Sequence, residues 1–401
     1  MRASGASRRL RSRTQFEARR INGHSIPHSI QESPVQTTTN ASSTAPKTKK
    51  KKKASAGTTT KVVVHRAGSY DRLGIETAPT AKPGPREVRI DVRASGVNYA
   101  DVIVRMGLYA SAKELVGWPI TPGFEVAGVV SAVGAEVDDL EVGARVLGVT
   151  LFGGYASSLV VPRHQVFAIP DALSFVQAAS IPAVALTAHY ALFELAHPRP
   201  GARVLIHSAA GGVGLSLVQM AKIAGCEVVG VVGGSHKVET AKAHGCDHVI
   251  DKSKQDLWAE AERISPRGYD VVLDANGVAT LKDSYEHTRR AGKLVVYGFS
   301  TMMPKTGGRP NYLKLAADYL RTPRFNPLDM TNESRSVLAF NLSYLFDRTD
   351  ILEEGMRDIM KWIEEGKLRP APATEYPLAK VADAHRDIES GKTVGKLVLI
   401  P

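Results

Sequence analysis

Residues 207–214 read His207-Ser208-Ala209-Ala210-Gly211-Gly212-Val213-Gly214. A stretch so poor in side chains offers backbone N–H groups rather than functional groups. It stands between an apolar run and an amphipathic one, which is the setting of a dinucleotide-binding turn. Gly211 lets the backbone approach a pyrophosphate, and Gly214 lets a following helix pack on a sheet. The helix N-terminus adds unpaired N–H groups and partial positive charge. Ala210, Gly212 and Val213 complete the candidate loop. Ala209 replaces the first glycine of the G-x-G-x-x-G pattern, so the match is incomplete. The alternative is a tight strand–helix turn that binds nothing.

The far end of such a cofactor is read about 20 residues further on, where Asp or Glu marks NAD. Here the chain runs Val231-Val232-Gly233-Gly234-Ser235-His236-Lys237, with no acid. Glycine leaves room, Ser235 can donate a hydrogen bond, and Lys237 can pair with a 2′-phosphate. The expected cofactor is NADPH. The plain alternative is that Lys237 is an ordinary solvated lysine.

Strand–helix alternation surrounds these residues. Arg203–His207, Glu227–Val232, His248–Ile250, Tyr269–Asp274 and Lys293–Gly298 read as short apolar strands, with helices over 212–224, 237–244, 256–264 and 278–289. That rhythm predicts an α/β domain over 186–325, a parallel sheet covered on both faces. Before it, short strands recur between Gly and Pro residues at Lys61–Val64, Glu87–Ala94, Val126–Val133, Ala144–Val149 and Ser158–Pro162, which predicts a β-rich domain over 61–185. Residues 326–401 are expected to return to that domain, ending in a strand at Lys396–Ile400. Asp350 with Glu353 is an expected helix cap, and Ile351, Met356, Ile359 and Ile363 an expected buried stripe.

The net charge of +12 is unevenly placed. Residues 1–60 hold 13 Lys/Arg and 2 Asp/Glu, and the remainder 39 and 38, so a strongly basic pI says little about the folded part. No specific nucleic-acid role follows. The first 60 residues read as a disordered basic leader. A mitochondrial transit peptide, a polyanion-binding tract at Lys47–Lys53 or a plain solvated tail all fit. No apolar run is long enough for a membrane span, which leaves peripheral contact through the lysine run. Cys226 and Cys246 are the two cysteines, which suits a reducing, cytoplasmic setting, or a mitochondrial one if the leader is a transit peptide.

Three further motifs occur in order: Gly96-Val97-Asn98-Tyr99-Ala100-Asp101 with Arg105-Met106-Gly107-Leu108-Tyr109, Pro122-Gly123-Phe124-Glu125-Val126-Ala127-Gly128, and then 209–214. With them the chain resembles the zinc-independent quinone oxidoreductase branch of the medium-chain dehydrogenase/reductases. Residues 335–345 and the closing Val394–Pro401 look like the VAT-1 homologue subgroup. The resemblance implies a GroES-like β-rich domain, a Rossmann doubly wound sheet domain, and an active site in the cleft between them. It implies that Asn98 and Tyr109 lie near nicotinamide and substrate, and that Lys252 stands where many relatives have a tyrosine beside the 2′-phosphate. It implies that Asn276 with Gly277, and Tyr297, Gly298 and Phe299, border the nicotinamide. Family members commonly dimerise through an edge strand of the nucleotide sheet, here expected at Val295–Tyr297. Met302–Arg324 is expected to border the cleft.

Zinc-dependent relatives need Cys and His ligands in the β-rich domain. This chain has no cysteine before Cys226, and Phe124 stands where they carry histidine, so a tetrahedral site has no ligands there. Cys226, His244, Cys246 and His248 form the one tempting cluster, which reads better as a βα connection with small buried thiols. Without a metal, hydride addition to an already electrophilic quinone or α,β-unsaturated carbonyl is the expected reaction. The Asn98 amide, the Tyr109 hydroxyl or a backbone N–H would stabilise the charge developing on oxygen, with the proton supplied by Tyr109 or water. The alternatives are an enoyl-thioester reductase and a non-enzymatic NADPH-binding protein acting at a membrane or with a partner. Asn98 could also be a turn-stabilising residue and Tyr109 a packing residue.

Overall fold

The computed structural model describes residues 57–401. The leader, with Lys47–Lys53, lies outside the described residues except for its last four. Those four are not leader. The strand Thr58–Val63 starts before Lys61 and pairs antiparallel with Gly74–Pro79. Its threonines are polar but β-branched, and suit a pleated edge as well as apolar residues do.

The β-rich part is a seven-stranded sheet. Its long central strand, Glu87–Val97, pairs antiparallel with Glu125–Val133, with Ser158–Pro162 and with the C-terminal Lys396–Ile400. Val88, Ile90 and Val92 alternate into the core formed with Val126, Val130, Val146, Val161 and Val166, as a half-buried strand requires. The last strand therefore pairs with residues some three hundred positions earlier. Ala373–Pro377 lies beside it in parallel.

The nucleotide-binding part is a six-stranded parallel sheet. Its spatial order is His248–Asp251, Glu227–Val232, Arg203–Ile206, Tyr269–Asp274, Thr288–Val296, Ser336–Ala339. In sequence order this is 3-2-1-4-5-6, the doubly wound arrangement whose switch point lies between the first and fourth strands. The helix Gly212–Ile223 follows the first strand and buries Leu215, Leu217, Val218 and Met220.

Three expectations are corrected here. The parallel sheet takes its sixth strand from Ser336–Ala339, beyond residue 325; the Pro/Gly-rich stretch before it read as a domain end. Because that strand covers Thr288–Val296, the segment Val295–Tyr297 is interior and Ser336–Ala339 is the edge. The helix Thr349–Glu364 has Arg348 at its N-cap position with no side-chain cap, and Asp350 lies inside the first turn, paired with Arg348, so Asp350 is not the cap. Its stripe does bury Met356 and Ile359.

Candidate active site

The cofactor end is built at the switch point. The strand Arg203–Ile206 stops at His207, and Ser208 turns the chain with φ +56°. Gly211 then precedes the helix in extended conformation, and no side chain caps the helix, so its first N–H groups remain free for an anion. A Cβ on Gly214 would lie 2.7 Å from the Cα of Ala209, which excludes any other residue there.

Across the switch point, Asp274 ends the fourth strand and collects four donors: the N–H groups of Asn276 and Gly277, and the hydroxyls of Thr280 and Ser284. Gly277 has φ +82°, and a Cβ there would press on the Phe299 ring at 2.6 Å. Asn276 accepts from the Ser208 hydroxyl at 3.1 Å. Its amide nitrogen is buried with no partner among the described residues. A buried donor without an acceptor is costly unless something binds it. Tyr297 packs near Phe340, while Phe299 is largely exposed.

At the 2′ end, Lys252 arches over Gly233, its Cε 3.9 Å from where a Cβ would stand. Burial lowers the pKa of Lys237 and of Lys252; Lys252 lowers Lys237 further, and Lys305 lowers Lys252. Lys252 thus stands between two other lysines, and the Asp274 carboxylate offsets part of that repulsion. Lys237 donates to the carbonyl of Gly391 at 2.6 Å. The Ser235 hydroxyl donates to Asp251 at 2.5 Å, so its proton is held by a carboxylate and not free for a phosphate. The uncapped turn, the unpartnered Asn276 amide and the neighbouring lysines fit a nicotinamide dinucleotide.

The substrate side is assembled from distant segments. Asn98 precedes the helix Tyr99–Arg105. Its amide nitrogen donates to Glu125 Oε1 at 2.8 Å, and its amide oxygen accepts from Lys396 Nζ. Glu125 is fully buried, pairs with Lys396 at 2.6 Å and accepts from the N–H of Ala183 at 2.7 Å. The Tyr109 hydroxyl donates to Asn341 Oδ1 at 2.9 Å and lies 2.7 Å from the Ser343 hydroxyl. Burial raises its pKa, so the hydroxyl stays protonated. The ring stands edge-on to Phe124 and Phe152. Phe124 therefore fills an aromatic wall.

The two sides meet at residue 395: Gly395 N–H donates to the carbonyl of Ala210 at 2.9 Å, and Gly395 pairs with Gly211. Behind Asn98 lies a buried network. Asp101 accepts from the N–H groups of Asn98 and Gly123 and from the Tyr155 hydroxyl. Tyr155 meets His385, which contacts Arg105, and Arg105 pairs with Glu389 at 2.6 Å. Arg105 also donates to the carbonyl of Gly308, and Ser69 to that of Gly307. The segment carrying Lys305 is thereby tied to the β-rich part.

Sequence reasoning did not find Glu125, Lys305, Asp251, Asn341, Ser343 or Lys396 as site residues. The signal for Lys396 was a single cation opening an otherwise apolar closing strand. The four residues of the tempting metal cluster do not assemble. His248 contacts Glu227 at 3.3 Å, His244 bonds the carbonyl of Thr240, and burial pushes the Cys226 and Cys246 thiols up to about 11 and about 12. Among the described residues, no three His, Cys, Asp or Glu side chains converge.

Comparison with known proteins places these features. Residues 84–171 match the alcohol dehydrogenase GroES-like domain and residues 244–399 the zinc-binding dehydrogenase family. The synaptic vesicle membrane protein VAT-1 homolog of Rattus norvegicus is 34% identical over 336 residues, 83% of this chain and 82% of that protein. The quinone oxidoreductase of Escherichia coli, solved with NADPH, superposes with a TM-score of 0.74 at 28% identity, covering 85% of this chain and all of that one. The CurK enoyl reductase superposes with 0.73 at 29% identity, covering 85% of this chain and 99% of that one.

Proposed function

This chain belongs to the medium-chain dehydrogenase/reductase superfamily, among the VAT-1 homologues and quinone oxidoreductases, and from that premise we propose that it is an NADPH-dependent reductase of quinones or α,β-unsaturated carbonyls that works without zinc. The observation that carries the reading is the wall beside the pyrophosphate loop. It offers a neutral amide, Asn98, and an aromatic cluster of Tyr109, Phe124 and Phe152. Such a wall suits a flat, electrophilic acceptor better than an alcohol that must be deprotonated.

Bound NADPH would supply hydride. Gly211–Gly214 and the helix behind them would hold its pyrophosphate, and Lys237, Lys252 and Lys305 its 2′-phosphate. Asn276 would meet the nicotinamide half. Asn98 would donate to the acceptor oxygen as charge develops there. Water is the proposed proton source, since the Tyr109 hydroxyl is turned toward Asn341 and Ser343.

The test is loss of the reduced nicotinamide absorbance when the full chain meets NADPH and 9,10-phenanthrenequinone. Turnover with NADPH, weaker with NADH, is the expected result. Cofactor binding without turnover on quinones or enones would move the assignment to a binding role at a membrane or with a partner. No helix among the described residues is long and apolar enough to cross a membrane, so any such contact would be peripheral. The likeness to the CurK enoyl reductase supports a second reading, reduction of an enoyl thioester, which a preference for thioester over free enone would establish. The exposed edge Ser336–Ala339 is the proposed contact of a homodimer, and the two reduced thiols fit a cytoplasmic protein.

A further inference from the structure

We infer that Lys396 is a positioning residue that polarises the Asn98 amide, so that an ammonium acting through an amide supplies the electrophilic assistance of this site. The inference rests on the reductase reading and goes beyond it, since that reading leaves Asn98 an ordinary amide.

The geometry is specific. Lys396 is 2% exposed and its ammonium faces two acceptors, Glu125 Oε1 and Asn98 Oδ1. An ammonium has only donors and a carboxylate only acceptors, so chemistry alone sets the amide orientation: oxygen toward Lys396, nitrogen toward Glu125. One amide hydrogen goes to Glu125 at 2.8 Å. The other has no acceptor among the described residues, and Asn98 is only half-buried. A positive charge on the amide oxygen draws electron density from the C–N unit and makes the free N–H a stronger donor. Burial keeps water from screening that effect.

Glu125 balances the ammonium, which is what permits a charge here at all. Gly395, the preceding residue, is tied to the pyrophosphate loop through Ala210. The ammonium is therefore positioned relative to that loop as well as to Asn98. In the step itself, hydride adds to the acceptor carbon, the displaced electron pair moves to the acceptor oxygen, and water later supplies the proton. Lys396 and Asn98 keep all of theirs.

The experiment compares the full chain with Lys396→Met, Glu125→Gln, the double variant and Lys396→Arg, using NADPH with 9,10-phenanthrenequinone and with 2-cyclohexen-1-one. Lys396→Met alone strands a buried carboxylate and is expected to lose stability. The double variant removes both charges and restores the melting temperature. If Lys396 only balances Glu125, activity returns with it. If Lys396 polarises Asn98, kcat stays down about tenfold or more while KM and NADPH affinity hold within about twofold. The loss is expected to be larger for the enone, the weaker electrophile, and partly recovered in Lys396→Arg. Wild-type turnover in the double variant, or a parallel fall in NADPH affinity, overturns the inference. A second readout needs no turnover: in 15N-labelled protein the free Asn98 side-chain N–H resonance moves upfield from wild type to the double variant. An unchanged shift overturns the polarisation, whereas a wild type that oxidises no NADPH overturns the reductase reading instead.

Discussion

The two ends of the cleft are built on different principles. The cofactor end is made of backbone and small residues on loops that follow consecutive strands: 207–214, 233–237, 251–253 and 274–277. Its charges are mainly lysines: Lys252 lies near both Lys237 and Lys305, with Asp274 the opposing charge beside it. The substrate end is held by buried, paired charges from segments far apart in sequence: Glu125 with Lys396, and Arg105 with Glu389. The first carries an excess of positive charge, which suits an anion. The second holds its charges in pairs. That division would suit the proposed reductase, in which one partner must be captured and the other only oriented.

The comparison breaks first at Arg105. Arg105→Met leaves Glu389 buried with only the Tyr70 hydroxyl for company, and removal of one partner of a buried pair costs about 3–5 kcal/mol. Thermal unfolding should show the largest loss of any single change discussed, and Gly308 loses a donor with it. A variant that melts like wild type would mean that the substrate end is not held by its buried charges. Gly214→Ala is the matching change at the cofactor end. Its Cβ meets the Ala209 backbone, which cannot swing aside as a side chain can, and overpacking of this kind costs about 1–3 kcal/mol. Pyrophosphate binding, followed by calorimetry with NADPH, should fall with stability. Retained affinity would show that the loop tolerates a wider turn.

The same contrast explains what was legible in the sequence. The glycine turn between strand and helix and the strand–helix alternation were readable because each depends on neighbours within a few positions, where periodicity and turn chemistry speak. The fit of Lys396 between Asn98 and Glu125 was not, because it requires the last strand to pair with Glu87–Val97, and nothing in a lysine before Leu-Val-Leu-Ile announces a partner. Glu125 looked like part of a motif whose metal ligand had been replaced by Phe124, yet it is the base of the network. Ser235 and Tyr109 were read as donors to cofactor and substrate, whereas in the structure their hydroxyls bond Asp251 and Asn341. A sequence shows a donor and not where its hydrogen goes. The edge strand Ser336–Ala339 has only four residues, too few to reveal alternation.

A smaller effect sharpens the account of the three lysines. Lys237→Ala removes one charge-assisted contact to a phosphate, about 1.5–3 kcal/mol at most, and should weaken NADPH roughly tenfold or more while leaving NADH unchanged. Lys305 lies on the segment held by Ser69 and Arg105, so Lys305→Ala should do the same by a smaller factor. Equal losses for NADPH and NADH in either variant would show that these lysines do not read the 2′-phosphate. Loss from Lys237 alone would leave Lys305 a surface residue.

The smallest expected effect is a pH dependence at the substrate end. Burial raises the Asp101 carboxyl to about 7, against the N–H groups of Asn98 and Gly123, the Tyr155 hydroxyl and the Lys396 charge, which all lower it. A carboxyl whose pKa is raised on folding holds more protons folded than unfolded between its ordinary pKa and the raised one. Its contribution is fully present below about pH 4 and is lost as pH climbs through about 7. His385 acts oppositely: burial, and then the Arg105 charge, hold it neutral well below its ordinary range, so acid weakens the fold through it. Stability measured from pH 4.5 to 8 in wild type and in Asp101→Asn separates the two, because His385 is common to both. The advantage of wild type over the variant should shrink as pH rises toward 7 and stay level beyond it. Parallel profiles through that window would mean that Asp101 is ionised throughout, held by its three donors, and that the substrate end is as insensitive to neutral pH as its paired charges alone would make it.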